Sequence, residues 1–171
     1  MSCNPTAFRF CPCCGQPLGK RLRGYRERLV CQACGRTVYL NPAVGVAVIV
    51  RRGEQILLGR RARGQYAGTW CIPCGYVEWG EEVHQAAVRE FKEETGLAVV
   101  LGEIVAVHSN FHDPDRLTVG IWFAGTVVGG RLHAGDDLDQ VTFFNLQNLP
   151  ENLAFPTDRL VLAELAHKPV A

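Results

Sequence analysis

The sequence predicts an α/β sandwich behind a small, cysteine-held N-terminal segment. Three observations carry that expectation. Apolar runs of strand length bracket one amphipathic stretch of helical period in the middle of the chain, and a second closes it. Two Cys-x2-Cys-Gly knuckles precede the first of those runs. A length of 171 residues suits one well-filled domain plus a small satellite.

The knuckles come first along the chain. Cys11-Pro-Cys-Cys14-Gly and Cys31-Gln-Ala-Cys34-Gly are separated by sixteen residues. Four thiolates at this spacing suit tetrahedral zinc, and the glycine after each pair lets the turn aim amides at sulfur. We therefore expect a structural Zn²⁺ held by Cys11, Cys14, Cys31 and Cys34, in a zinc ribbon spanning residues 1–40. A four-thiolate site is closed, so this metal should stabilise and not catalyse. Pairing through Cys13 spoils the spacing, which leaves Cys13 and Cys3 as spare thiols.

Charge is divided unevenly. Residues 1–40 carry seven Arg and Lys against one acid, a formal +6, whereas residues 41–171 carry eleven bases and sixteen acids, a formal −5. Lys20, Arg21, Arg23, Arg26 and Arg28 crowd the stretch between the knuckles. Such a run is either a nucleic-acid footprint or a solvated hairpin facing an acidic domain or a second subunit. Aromatic interleaving is sparse there, with only Tyr25, which favours the second reading.

Asn41-Pro42 marks the boundary to the larger domain, residues 41–171. Ala43–Arg51 and Gln55–Arg60 read as strands around an Arg52-Gly53-Glu54 turn. Gly64–Thr69 is a loop, and Trp70–Val77 carries short extended pieces. A helix follows over about 82–95, with Val83, Ala87 and Phe91 as its buried stripe and Gly96 as its stop. Leu97–Leu101, Ile104–His108, Leu117–Val128 and Val141–Asn145 read as strands. Thr157 can cap a final helix to about His167, with Leu160, Val161 and Leu165 buried.

The chemistry is concentrated on the middle helix. Glu90, Glu93 and Glu94 fall within one turn and share a face. Three like charges repel unless a cation joins them. Hard divalent cations such as Mg²⁺ take oxygen ligands and arrive with phosphates, so these three are the expected ligands of Mg²⁺ or Mn²⁺. Arg89 can pair with a neighbouring carboxylate and hold its rotamer. Ordinary Glu-rich helix faces are merely solvated, but here the full pattern is Gly75-x5-Glu81-x7-Arg89-Glu90-(apolar)-x-Glu93-Glu94-x-Gly96-(apolar). Seven fixed identities at about one in fifteen each make a chance match on the order of one in 10⁸.

That pattern resembles the Nudix box, unbroken, at residues 75–97. The resemblance implies a mixed sheet between helices over about 43–167. It also implies hydrolysis of the diphosphate linkage in a nucleoside diphosphate joined to some group X. Within the family's pattern Gly75 offers its carbonyl to the metal and Glu81 supports the cluster. The catalytic base is either a box glutamate such as Glu90 or a later carboxylate among Asp136, Asp137 and Asp139. Asp139 lies where many members carry an acid just ahead of a strand, and it is the expected choice.

Substrate contacts are fainter. Arg60 or Arg61 can clamp phosphate, and Arg61 is the chosen candidate. Tyr76 and Phe111 are the candidates for stacking on a base, while Trp70 reads as core. Cys71-Ile-Pro-Cys74 stands where most Nudix members read a glycine before the box glycine. Strand alternation should turn Cys71 and Cys74 to opposite faces. A ribbon ahead of a Nudix domain looks like two groups. The NADH pyrophosphatase hallmark is matched only by Ser109 within Ser109–Asp115. The segments Ser109…Arg116 and Glu151–Phe155 look more like enzymes acting on ADP-ribose or FAD, giving AMP and an X-phosphate. The alternatives are hydrolysis of NADH or NAD-capped RNA, and a non-catalytic ADP-ribose sensor. An unbroken box argues against the sensor. No apolar run approaches the ~18 residues of a membrane span, and no secretory signal is visible, so a cytoplasmic protein is expected. Homodimers are common in the family.

Overall fold

The computed structural model describes residues 8–114 and 116–167. The chain divides into two compact units, Met1–Pro42 with Asp113–Leu117, and Ala43–His112 with Thr118–Ala171. Cys3 lies outside the described residues.

The first unit is a three-stranded antiparallel sheet, ordered β1 (Leu18–Arg23), β2 (Arg26–Cys31), β3 (Thr37–Val38). Each knuckle turns through a glycine at positive φ, Gly15 at 68° and Gly35 at 73°, where a side chain would be strained. Their amides close onto the Cys11 and Cys31 carbonyls. The four expected thiols converge, all sulfurs lying within 4.8 Å of one another. Cys11 and Cys34 sulfurs stand 3.8 Å apart, and those of Cys14 and Cys31 3.5 Å apart. The Cys34 amide donates to Cys31 Sγ, and that contact foremost draws the thiol down to about 6. A closed S₄ set with amides aimed at sulfur fits tetrahedral zinc.

The second unit is a mixed sheet between two helices. Its strands are β4 (Ala43–Arg52), β5 (Gln55–Arg61), β6 (Trp70–Cys71), β7 (Cys74–Tyr76), β8 (Leu97–Asn110), β9 (Thr118–Gly130) and β10 (Leu138–Asn145). The spine runs β10-β5-β4-β9-β8, with β6 on β5 and β7 on β4. Among the described strands, β4 and β9 pair parallel and the other ladders are antiparallel. β4 and β5 meet at their turn and then splay, and β6 and β7 take up the edges so freed.

Helix α1 (Val83–Thr95) covers one face of the sheet and α2 (Pro156–His167) the other. β4 shows why it reads as a continuous apolar run. Val46, Val48 and Val50 pack toward Ala86, Ala87 and Phe91, while Ala47 and Ile49 pack toward Val161, Leu162 and Leu165. A strand buried on both faces has no polar alternation. Among the described residues, no helix is long and apolar enough to cross a membrane.

Four local expectations change. The runs 97–101 and 104–108 are one strand, interrupted in register between Leu101 and Ile104. β10 begins at Leu138, three residues early. α2 starts at Pro156, whose missing N–H costs nothing in a first turn, so Thr157 lies inside the helix; Leu160 is exposed and Leu162 buried in its place. Finally, Cys71 and Cys74 do not face apart. Pro73 separates two short strands, so no alternation runs through, and both thiols pack with Leu138 and Ala154.

One buried acid ties α2 to the sheet. Asp158, 2% exposed, accepts from Ile72 N at 3.0 Å and Trp122 Nε1 at 3.2 Å. Burial, the largest influence, pushes its carboxyl up to about 7 from an ordinary 3.8. The folded protein therefore binds a proton that the unfolded chain has released, and the associated stability is lost as pH rises through about 7. Denaturant melts at pH 5 and pH 8 should show wild type losing stability relative to Asp158→Asn, with a slope of at most about 1.4 kcal/mol per pH unit. For the ribbon, metal analysis should find one zinc per chain. Cys31→Ser should lose it and unfold the N-terminal segment, read by limited proteolysis.

Candidate active site

α1 presents its carboxylates because both its ends are fixed. The Glu82 side chain caps the start, accepting from His84 N at 2.8 Å and Gln85 N at 3.1 Å. Gly96 ends it in the left-handed conformation, φ 70°. Ala87 and Phe91 are buried and Val83 partly so, which rotates Glu90, Glu93 and Glu94 toward β7 and the loops beyond.

Arg89 organises this face. Its Nε and Nη2 grip both oxygens of Glu81 at 2.7 and 2.8 Å, a bidentate pair. Nη1 lies 2.9 Å from Glu90 Oε1 and 3.0 Å from Glu93 Oε2. Nη2 also donates to the Tyr76 carbonyl at 3.1 Å. Glu81, held by Arg89 and by the Glu78 amide, is drawn down to about 2 and stays ionised.

The three glutamates sit in different surroundings. Glu93 is half exposed. Glu90 is partly buried, and desolvation raises its carboxyl against the pull of Arg89 and the Tyr76 amide. Glu94 is 1% exposed. Its Oε2 accepts from Cys74 N at 2.7 Å, and burial, with the Cys74 thiol and Asp137 beside it, raises it well above the carboxylate range. Gly75 sits against Glu90 so closely that an added Cβ would lie 2.0 Å from the carboxyl carbon. Any side chain there displaces Glu90.

The loop before β10 adds a fourth carboxylate. His133 and Gly135 amides bond to the Thr95 and Glu94 carbonyls at the end of α1, each at 3.0 Å. The Asp137 carbonyl accepts from Ala62 N at 2.7 Å. So anchored, Asp137 reaches the Glu94 carboxyl and pairs with Arg61. Its Oδ1 is buried without a hydrogen-bond partner among the described residues, as is Arg61 Nε. Asp139 pairs with Arg60 at 2.7 Å, and Asp136 with Arg63 at 3.3 Å, both in exposed positions.

The other candidates disperse. Arg61 is largely buried, with its guanidinium against Asp137, the Phe155 ring and the Cys71 thiol. Tyr76 is 41% and Phe111 72% exposed. Trp70 is core, edge-on to Phe144. Tyr66, His112 and Phe155 form an aromatic cluster beside Arg61 that sequence reading missed, since the three rings lie far apart in the chain. Asp158 was missed too, since an acid in the first turn of a helix reads as an exposed N-terminal charge.

The donor set suits a hard divalent cation. It is all oxygen, it includes the buried Glu94 carboxyl in contact with the partly buried Asp137, and the Asp137 Oδ1 is buried without a hydrogen-bond partner among the described residues. A sheet between helices, with carboxylates massed on one helix turn, is the architecture of a hydrolase acting on phosphoric anhydrides. The chain belongs to the Nudix hydrolase family. The NUDIX domain model matches residues 40–165 and the Nudix N-terminal zinc-ribbon model residues 9–40. It is 42% identical over 125 residues to an ADP-ribose pyrophosphatase of Methanocaldococcus jannaschii, covering 72% of this chain and 73% of that protein. It is 32% identical over 143 residues to the NAD-capped RNA hydrolase NudC of Stutzerimonas stutzeri, covering 83% of this chain but only 50% of that protein. A crystal structure of a NUDIX hydrolase from Nitrosomonas europaea superposes with a TM-score of 0.82 at 29% identity, over 96% of each chain.

Gly75→Ala should force Glu90 aside. Activity on a dinucleotide substrate should fall at least about tenfold and stability by about 1–3 kcal/mol, the cost of overpacking. Activity assays and thermal melts on one preparation check both.

Proposed function

We propose that this Nudix hydrolase cleaves the diphosphate of an ADP-ribose- or FAD-type dinucleotide, giving AMP and an X-phosphate. The observation that carries the reaction is the contact between buried Glu94 and partly buried Asp137 beside Glu90 and Glu93, a cluster of carboxyls that only a cation or shared protons can reconcile. The substrate choice rests on the 42% identity to an ADP-ribose pyrophosphatase.

Glu90, Glu93 and Glu94, with the Gly75 carbonyl, would hold Mg²⁺ or Mn²⁺. Bound there, the metal supplies neutralisation of the diphosphate oxygens and a more acidic water. The chain's own groups do the positioning. Arg89 keeps Glu90 and Glu93 from swinging apart, and its bidentate hold on Glu81 keeps Arg89 in place. Asp137 takes the proton-accepting role that Asp139 was expected to fill. Its Oδ1 is an unpartnered buried acceptor at Glu94, while Asp139 is tied to Arg60. Arg61 orients Asp137. The Tyr66–His112–Phe155 cluster beside Arg61 offers the base a stacking wall.

The test is a phosphate-release panel with Mg²⁺ and Mn²⁺ over ADP-ribose, FAD, NADH, NAD⁺ and NAD-capped RNA. ADP-ribose or FAD should lead in kcat/KM. A lead by NADH or capped RNA would overturn the substrate assignment. Glu93→Gln and Glu94→Gln should abolish turnover and weaken Mn²⁺ binding measured by paramagnetic titration. Asp137→Asn should lower kcat by about 100-fold, the weight of a general base, while Asp139→Asn leaves kcat within about threefold. The reverse order would return the role to Asp139.

A further inference from the structure

The register of the ribbon hairpin poses a physical problem. Residues directly opposed across an antiparallel pair point to the same face, and so do residues two apart on one strand. β1 and β2 pair Arg21 with Arg28 and Arg23 with Arg26. All four guanidiniums therefore share one face, in two directly opposed like-charged pairs. Such pairs destabilise a sheet. Lys20, Leu22, Glu27 and Leu29 lie on the other face, so the sole acid of the hairpin cannot offset them. The ion pairs among the described residues use Arg60, Arg61, Arg63, His84 and Arg89, and none of these four. Arg21, Arg23 and Arg26 are exposed and Arg28 half-buried.

Aromatic rings border the same face. Tyr39, 63% exposed, lies under Arg28 at 5.4 Å, and Tyr25, 87% exposed, under Arg26 at 5.6 Å. Tyr39 lies two residues beyond Thr37, which pairs with Val30, so the third strand delivers it to the arginine side. The sequence showed Tyr25 alone among the arginines; the sheet supplies the second ring. Guanidiniums in rows bordered by exposed rings match a polyphosphate chain bearing planar bases.

We propose that the arginine face of the N-terminal ribbon binds single-stranded nucleic acid, Arg21, Arg23, Arg26 and Arg28 taking phosphates and Tyr25 and Tyr39 stacking on bases. The partner supplies the negative charge that the opposed arginines lack. This surface belongs to the ribbon alone and does not depend on which dinucleotide the second unit hydrolyses.

The test uses the full, zinc-loaded chain and a fluorescein-labelled 20-mer, as RNA and as DNA, titrated across salt by anisotropy. Each phosphate neutralised contributes about −0.7 to the slope of log K against log salt for a single strand. Wild type should give about −3, and Arg21→Gln with Arg28→Gln about −1.5, with affinity at low salt weakened at least tenfold. Lys20→Gln, on the opposite face, should bind as wild type. The double variant should keep its zinc, its hydrolysis of ADP-ribose and a melting temperature no lower than wild type, because opposed like charges are removed. Should it lose zinc, Arg23→Gln with Arg26→Gln at the hairpin tip reads the same slope. Binding of either single strand with these slopes supports the surface. Unchanged slopes in the double variants, tighter binding of duplex or of phosphatidylserine vesicles, or a variant that alters only oligomeric state would overturn it.

Discussion

A single guanidinium holds the acidic face of α1 together. Arg89 meets three carboxylates and a backbone carbonyl, and each contact uses a different part of its planar fork. A lysine supplies one point charge and cannot satisfy that geometry. Without Arg89, Glu81 would keep only the Glu78 amide, and Glu90 and Glu93 would repel within one helical turn. The box reads as a sequence of acids, yet part of it, Glu81 and Arg89, serves to hold the other acids in place.

The depth of burial then differs sharply across the helix turn. Glu93 is half exposed, Glu90 mostly sheltered, and Glu94 lies beneath the surface against the Cys74 amide. The end of α1 completes the site from the far side. Its last carbonyls accept the amides of His133 and Gly135, and this docking carries Asp137 to Glu94. Gly135 is required there, because an added Cβ would lie 2.4 Å from the Glu93 carbonyl oxygen. One helix thus provides three carboxylates from its side chains and positions a fourth with its backbone.

The ribbon stands on different physics. Its strands are too short and too charged to bury a core, and among the described residues Val30, Cys11 and Cys31 are buried. Four converging thiols do the work that apolar area does elsewhere. Freed from core packing, the hairpin tolerates a face of opposed arginines that a sheet relying on cross-strand pairs would not.

Much of this was legible in the residue order. The box spacing places Glu90, Glu93 and Glu94 on one turn whatever surrounds them, because helical periodicity is local. The knuckles likewise announce a four-sulfur cluster, because turn geometry and ligand number are set within five residues. The continuous apolar run of β4 marks a strand covered on both sides. Tertiary structure alone decided which loop aspartate meets Glu94, since Asp136, Asp137 and Asp139 differ only in how the loop docks onto α1. It also turned Arg61 inward to Asp137, set Cys71 beside Cys74 across Pro73, and gathered Tyr66, His112 and Phe155. The arginine face belongs to the same class. The sequence shows five basic residues in a row of nine, but only strand register puts four of them on one side. Local spacing is encoded in neighbouring residues; contacts between distant segments depend on register and docking, which no short window of sequence contains.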